Sequence, residues 1–122
     1  MILDRIVANT KIDLARRKEF ISIDMLKELL ADTPPVRPFK PALRRPGQVS
    51  VIAETKRSSP SKGLLRQDYD CVKIAAEYEQ AGAAAVSVLT EERFFQGHQF
   101  HLAAVRKKIG IPVLRKDFII DP

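Results

Sequence analysis

Three apolar runs, starting about 30 residues apart, most limit what this chain can fold into. They cover residues 49–55, 84–90 and 111–115, and each gap between them has helical character. In the first gap Asp68 or Asp70 can start a helix that carries Val72, Ile74, Ala75, Ala76 and Tyr78. Gly82 stands close to where a helix C-terminal glycine belongs. In the second gap residues 100–108 turn Leu102 and Val105 inward, and Gly110 ends the run. Strand, helix, strand, helix, strand in that order calls for a parallel sheet with right-handed crossovers.

The preceding residues have a different rhythm. Ile2, Leu3, Ile6 and Val7 share one helical face, Leu14 continues it, and Asp4, Arg5, Arg16, Arg17 and Lys18 mostly face away, which predicts a helix over residues 3–19. Ser22 can cap a second, short helix with Ile23, Met25, Leu26, Leu29 and Leu30 on its apolar face. Both read as amphipathic helices that cover another surface. Residues 33–47 then carry Pro34, Pro35, Pro38, Pro41 and Pro46, which excludes helix and central strand. Arg37, Lys40, Arg44 and Arg45 occur there without an acid, and the segment reads as a solvated linker. The expected division is residues 1–47 as helical arm and connector and residues 48–122 as the strand–helix part.

A chain of 122 residues with 45% apolar composition suits one small domain. A net charge of +6 favours an anionic partner: nucleic acid, a phosphorylated metabolite or an acidic lipid headgroup. An RNA-binding module is disfavoured, because two tyrosines and no tryptophan leave little to stack on bases. The single cysteine, Cys71, has no internal partner, which suits a reducing cytoplasm; it reads as a bystander thiol near a helix start. The start, Met1-Ile2-Leu3-Asp4-Arg5, does not read as a signal peptide, and no apolar run approaches the roughly 20 residues of a membrane span. His98 and His101 share a helix face but have no third ligand nearby, so no metal site is expected.

Alternation along the strands concentrates the charge. The first strand groups Ser50, Ile52, Glu54 and Lys56 on one face, the second Ser87, Leu89 and Glu91, the third Pro112, Leu114 and Lys116. The charged members lie at the carboxyl ends, where parallel α/β folds place their sites. Glu54, Lys56 and Lys116 are thus expected at one mouth. A lysine partly desolvated beside another cation can serve as a general acid, a second can hold a phosphate or carboxylate, and Glu54 can orient both. The pattern equally fits a strand-end Glu54–Lys56 ion pair with Lys116 in solvent.

Four longer stretches carry a resemblance. They are Val51-Ile52-Ala53-Glu54-Thr55-Lys56-Arg57-Ser58-Ser59-Pro60-Ser61-Lys62-Gly63, the run from Tyr78 through Ala-Gly-Ala-Ala-Ala-Val-Ser-Val-Leu-Thr to Glu91, Phe94-Phe95-Gln96-Gly97, and Ile111-Pro112-Val113-Leu114-Arg115-Lys116-Asp117-Phe118-Ile119. Over essentially the whole chain the sequence resembles indole-3-glycerol phosphate synthase. The family usually has Gly-Gly where this chain has Gln96-Gly97.

The resemblance implies a TIM-type, eight-stranded β/α barrel with an N-terminal helical extension, of which this chain supplies the first three βα units. It implies a cytoplasmic carbon–carbon lyase of tryptophan biosynthesis. The reaction closes 1-(2-carboxyphenylamino)-1-deoxyribulose 5-phosphate to an indole with loss of carbon dioxide and water, without metal or organic cofactor. Lys116 corresponds to the general acid at the keto oxygen, Lys56 to the cation that holds an anionic group and assists dehydration, and Glu54 to the group that orients them. Ser59 supplies a loop hydroxyl, and Leu89, Phe95 and Phe118 correspond to apolar walls around the anthranilate ring.

Such a barrel takes roughly 250 residues, so the family's later carboxylate, asparagine, arginine and phosphate loops are expected outside this chain, which is expected to be inactive alone. Ile52, Leu89 and Leu114 are expected to meet water on an uncovered inner face, driving self-association or pairing with the missing half of the barrel. Two rivals are another phosphate-binding β/α barrel, such as a phosphoribosylanthranilate isomerase, and a non-catalytic self-assembling fragment.

Overall fold

A computed structural model describes Met1–Pro122, which divide into two compact units: residues 1–35 with 118–122, and residues 36–117. In the first unit, α1 (Ile2–Phe20) and α2 (Ile23–Leu30) form where the sequence predicts helices, but their apolar faces are not covered as expected: Ile2 and Leu3 are exposed, and in α1 Ile6 alone is buried. Met1 contributes its ammonium to Asp4 at 3.5 Å in the first turn of α1, where the helix dipole favours a carboxylate. Ser22 caps α2 as its sequence predicts, its hydroxyl accepting from Met25 N at 3.2 Å. No residue of α2 is buried, so its apolar face is open. Lys18 pairs with Asp121 at 3.1 Å within the same unit.

The second unit opens with α3 (Phe39–Leu43), a five-residue helix inside the segment expected to exclude one. Pro41 occupies its first turn, where the missing N–H has no intrahelical acceptor to lose. The connector is not a solvated linker either. Arg37 donates to the carbonyls of Ile111 at 3.0 Å and Arg106 at 2.9 Å, and Arg45 donates to that of Gly82 at 3.0 Å. A guanidinium has several donors and no acceptor, so it is suited to unused carbonyls at helix ends and strand starts.

The main sheet is parallel and three-stranded, in the order β1 (Ile52–Thr55), β4 (Ala85–Leu89), β5 (Val113–Lys116). Two crossover helices, α4 (Cys71–Gln80) and α5 (Gln99–Lys108), join these strands. The register aligns Glu54 with Ser87, Ser87 with Leu114, and Leu89 with Lys116. Val86 and Val88, on the other parity of β4, form the core with Cys71, Ala75, Val105 and Ile109. Asp70 caps α4 by accepting from Val72 N and Lys73 N, both at 3.0 Å. Gly82 takes φ +92° just beyond α4, as a helix-ending glycine does, whereas α5 ends at an extended Ile109.

Two expectations are corrected here. The first strand is shorter than residues 49–55 and is not a buried strand; only Thr55 is buried in β1, because it is an edge strand with helices against one face of the sheet. Leu89 does not meet water: it is 2% exposed, and the loop over residues 91–97 folds back onto this end of β4. Ile52 and Leu114 are exposed, at 43% and 42%. Unanticipated is a small antiparallel hairpin of β2 (Ser58–Ser59) and β3 (Gly63–Leu64) in the loop after β1, with Gly63 at φ +66°.

Candidate active site

At the carboxyl end of the sheet Glu54 reaches two lysines at once. Its Oε1 lies 2.8 Å from Lys56 Nζ and its Oε2 2.6 Å from Lys116 Nζ. Lys56 comes from the residue that follows β1, Lys116 from the last residue of β5, so the carboxylate bridges across β4. Alternation produces this geometry: with Glu54, Ser87 and Leu114 in register, the side chains at 54 and 116 rise on one face. Ser87 donates to Glu54 Oε2 at 3.5 Å from below, and Tyr78 of α4 donates its hydroxyl to the Glu54 carbonyl at 3.1 Å from behind.

Both readings of the charges are partly realised. A Glu54–Lys56 pair exists at the strand end, but Lys116 joins it instead of standing in solvent. Burial pushes the Glu54 carboxyl up, yet the hydrogen bonds from Lys116 and then Lys56, with their positive charge, hold it below the usual carboxylate value. The site thus keeps one fixed anion between two ammonium groups. It can present a proton on Lys116 and a cationic anchor on Lys56, while Glu54 stays ready to accept a proton or redirect either amine.

The apolar candidates are placed differently. Lys56 Nζ stands 6.0 Å from the Phe95 ring centroid, at the outer limit of a cation–π contact, which brings Phe95 to the mouth. Leu89 pairs in register with Lys116 and is buried. Ser59 lies in the hairpin, where its hydroxyl accepts from Lys62 N at 3.2 Å and so shapes the first loop. Phe118 belongs to the first unit, immediately after Asp117 closes the second.

Glu91, grouped with the mouth charges by alternation, is instead buried. Its carboxylate accepts from Arg93 N at 3.1 Å, Phe94 N at 2.7 Å and Phe95 N at 3.0 Å. The side chain builds the loop that presents Phe95 and does not face the lysines. Gly97 N donates to Glu91 O at 2.8 Å, and a Cβ at Gly97 would come within 2.8 Å of the Leu89 carbonyl carbon. Gln96 takes φ +53°, in the left-handed region.

His98 accepts from Phe100 N at 3.1 Å through Nδ1 and so caps α5; its ring meets that of His101 edge-on at 6.1 Å. Burial pushes the Cys71 thiol up, with the Asp70 carboxylate adding to it. A raised thiol suits the bystander role expected for it.

The Glu54 carboxylate is thus clamped between two lysines at the carboxyl ends of parallel strands, the end at which β/α folds place their sites. The family model for indole-3-glycerol phosphate synthase matches residues 3–122. Among curated relatives of that name, one from Campylobacter fetus is 45% identical over 121 residues, covering 99% of this chain and 47% of the relative. One from Geobacillus thermodenitrificans is 54% identical over 109 residues, covering 88% and 42%. One from Geobacillus kaustophilus is 60% identical over 86 residues, covering 70% and 33%. The chain belongs to the indole-3-glycerol phosphate synthase family. It spans less than half the length of these relatives.

Proposed function

We propose that this chain forms the first three βα units of an eight-stranded barrel with a helical extension, and supplies the proton-donating side of an indole-3-glycerol phosphate synthase site. The observation that carries this is the Glu54 carboxylate shared by Lys116 at 2.6 Å and Lys56 at 2.8 Å. In the closure of 1-(2-carboxyphenylamino)-1-deoxyribulose 5-phosphate, the aryl carbon attacks the keto carbon and negative charge develops on the keto oxygen. Lys116 delivers its proton there and leaves Glu54 to stabilise Lys56, which holds the aryl carboxylate. Loss of carbon dioxide restores electrons to the ring system, and loss of water from the former keto carbon gives the indole; Lys56 assists the departing hydroxyl. Phe95, Leu89 and Phe118 serve as apolar walls for the aryl ring, and Ser59 as a loop hydroxyl. No residue is assigned to a cofactor or a metal. The setting is the cytoplasm, where this biosynthetic chemistry and a lone unpaired cysteine fit, and no helix here is long and apolar enough to cross a membrane.

The test is fluorescence-detected indole-glycerol phosphate formation. The chain is assayed alone and with the carboxyl-terminal barrel strands of a relative supplied in trans. Activity only in the mixture, abolished by Lys116→Ala, is the expected result. Activity of the chain alone would overturn the division of roles between this part and the rest of the site. A mixture that stays inactive although both parts associate would favour the non-catalytic fragment.

A further inference from the structure

Directly behind Lys116, three side chains form a closed hydrogen-bonded ring. Thr90 Oγ1 donates to Asp117 Oδ2 at 2.6 Å, and Arg115 Nε donates to the same threonine hydroxyl at 3.2 Å. Arg115 Nη2 completes the ring on Asp117 Oδ2 at 3.3 Å. Thr90 N also donates to the carbonyl of Lys116 at 3.0 Å, extending the β4–β5 ladder by one rung. Thr90 is buried and the Asp117 side chain is 14% exposed, while Arg115, 38% exposed, closes the ring on its solvent side.

Alternation sets Arg115 and Asp117 on the face opposite Lys116. The ring therefore grips the backbone on both sides of the lysine without touching its ammonium. Lys116 needs such a grip. Its side chain is 54% exposed, so packing does not hold it, yet its Nζ reaches across β4 to Glu54. A free lysine carries much rotamer entropy, and a small rotation of the strand end would take the amine off its acceptor.

We propose that Thr90, Arg115 and Asp117 are positioning residues for Lys116: their ring fixes the end of β5 so that the ammonium meets Glu54. Only the catalytic consequence rests on the function proposed above; the geometry exists without substrate.

Competitive acetylation with acetic anhydride, read lysine by lysine by mass spectrometry on the full chain, tests this without substrate. An amine held on a carboxylate must leave it before it can react. Thr90→Val and Asp117→Asn should each raise Lys116 labelling about threefold relative to exposed Lys73 and Lys107, the scale of a partly exposed ion pair. Lys56, on the other oxygen of Glu54, should stay unchanged. Thr90→Ser keeps the hydroxyl and should restore the parent value. In a Glu54→Gln background neither substitution should have any further effect. The proposal is overturned if Lys116 labelling is unchanged in a folded Thr90→Val chain, or if Lys56 and Lys116 rise together, which means general loosening. Should Asp117→Asn unfold, the near-isosteric Thr90→Val decides; unfolding of both makes the ring a folding element and also overturns the proposal. Failure here leaves the proposed activity standing, and absence of activity leaves this measurement intact.

Discussion

Glu54 keeps its negative charge against a burial cost because two ammonium groups sit on its oxygens. Its folded-state pKa lies below the ordinary 4.5, so it contributes stability that is present above that value and lost as pH falls through the folded one. Glu54→Gln should therefore flatten the acid limb of a pH–stability curve below about pH 4.5, measured by urea unfolding. His101 behaves in a related way: burial, then His98 and Arg57, lower its pKa from 6.5. The neutral ring is favoured in the fold, so its contribution is complete above that value and is lost on acidification. At Gln96 the backbone, not charge, sets the cost. A side chain at φ +53° is strained, and Gln96→Gly should raise stability by about 1 kcal/mol. Gly97→Ala should lower it by about 1–3 kcal/mol, because the new methyl meets backbone at Leu89 and Glu91. Thermal unfolding of the two variants separates these opposite signs.

At the scale of elements, single side chains tie one crossover to the next. Glu79, near the end of α4, accepts from Gly110 N at 2.7 Å and Ile111 N at 3.1 Å, and so anchors the approach to β5. Glu79→Ala leaves two backbone donors without this carboxylate and should cost about 1–2 kcal/mol in chemical denaturation. Asp70→Ala, which removes the cap of α4, should cost about 1 kcal/mol. The sequence marked Asp70 openly, because capping residues act on the next few amides. It gave no sign of Glu79, whose acceptor role depends on a backbone 31 residues away. Arg37 is similar: its partners stand 69 and 74 residues further on, so composition read it as part of a linker.

For the whole molecule, the sheet leaves β1 and β5 as its edges, and Ile52 and Leu114 on the inner face meet solvent. Open parallel edges beside exposed apolar side chains favour association. We expect concentration-dependent self-association in sedimentation velocity, weakened by Leu114→Lys. A monodisperse monomer across the micromolar range would contradict it.

Alternation and spacing determined much by themselves. They located the three parallel strands and both crossover helices, and they put Glu54, Lys56 and Lys116 at one end of the sheet. Those features follow from the period of the backbone, which is a local property of the chain. Tertiary structure alone decided the rest. It turned Glu91 into the loop under Phe95, joined Lys116 to a pair that local pattern placed between Glu54 and Lys56, and closed the ring of Thr90, Arg115 and Asp117. Which atoms of a charged side chain find a partner depends on where distant backbone comes to rest, and no local period encodes that distance.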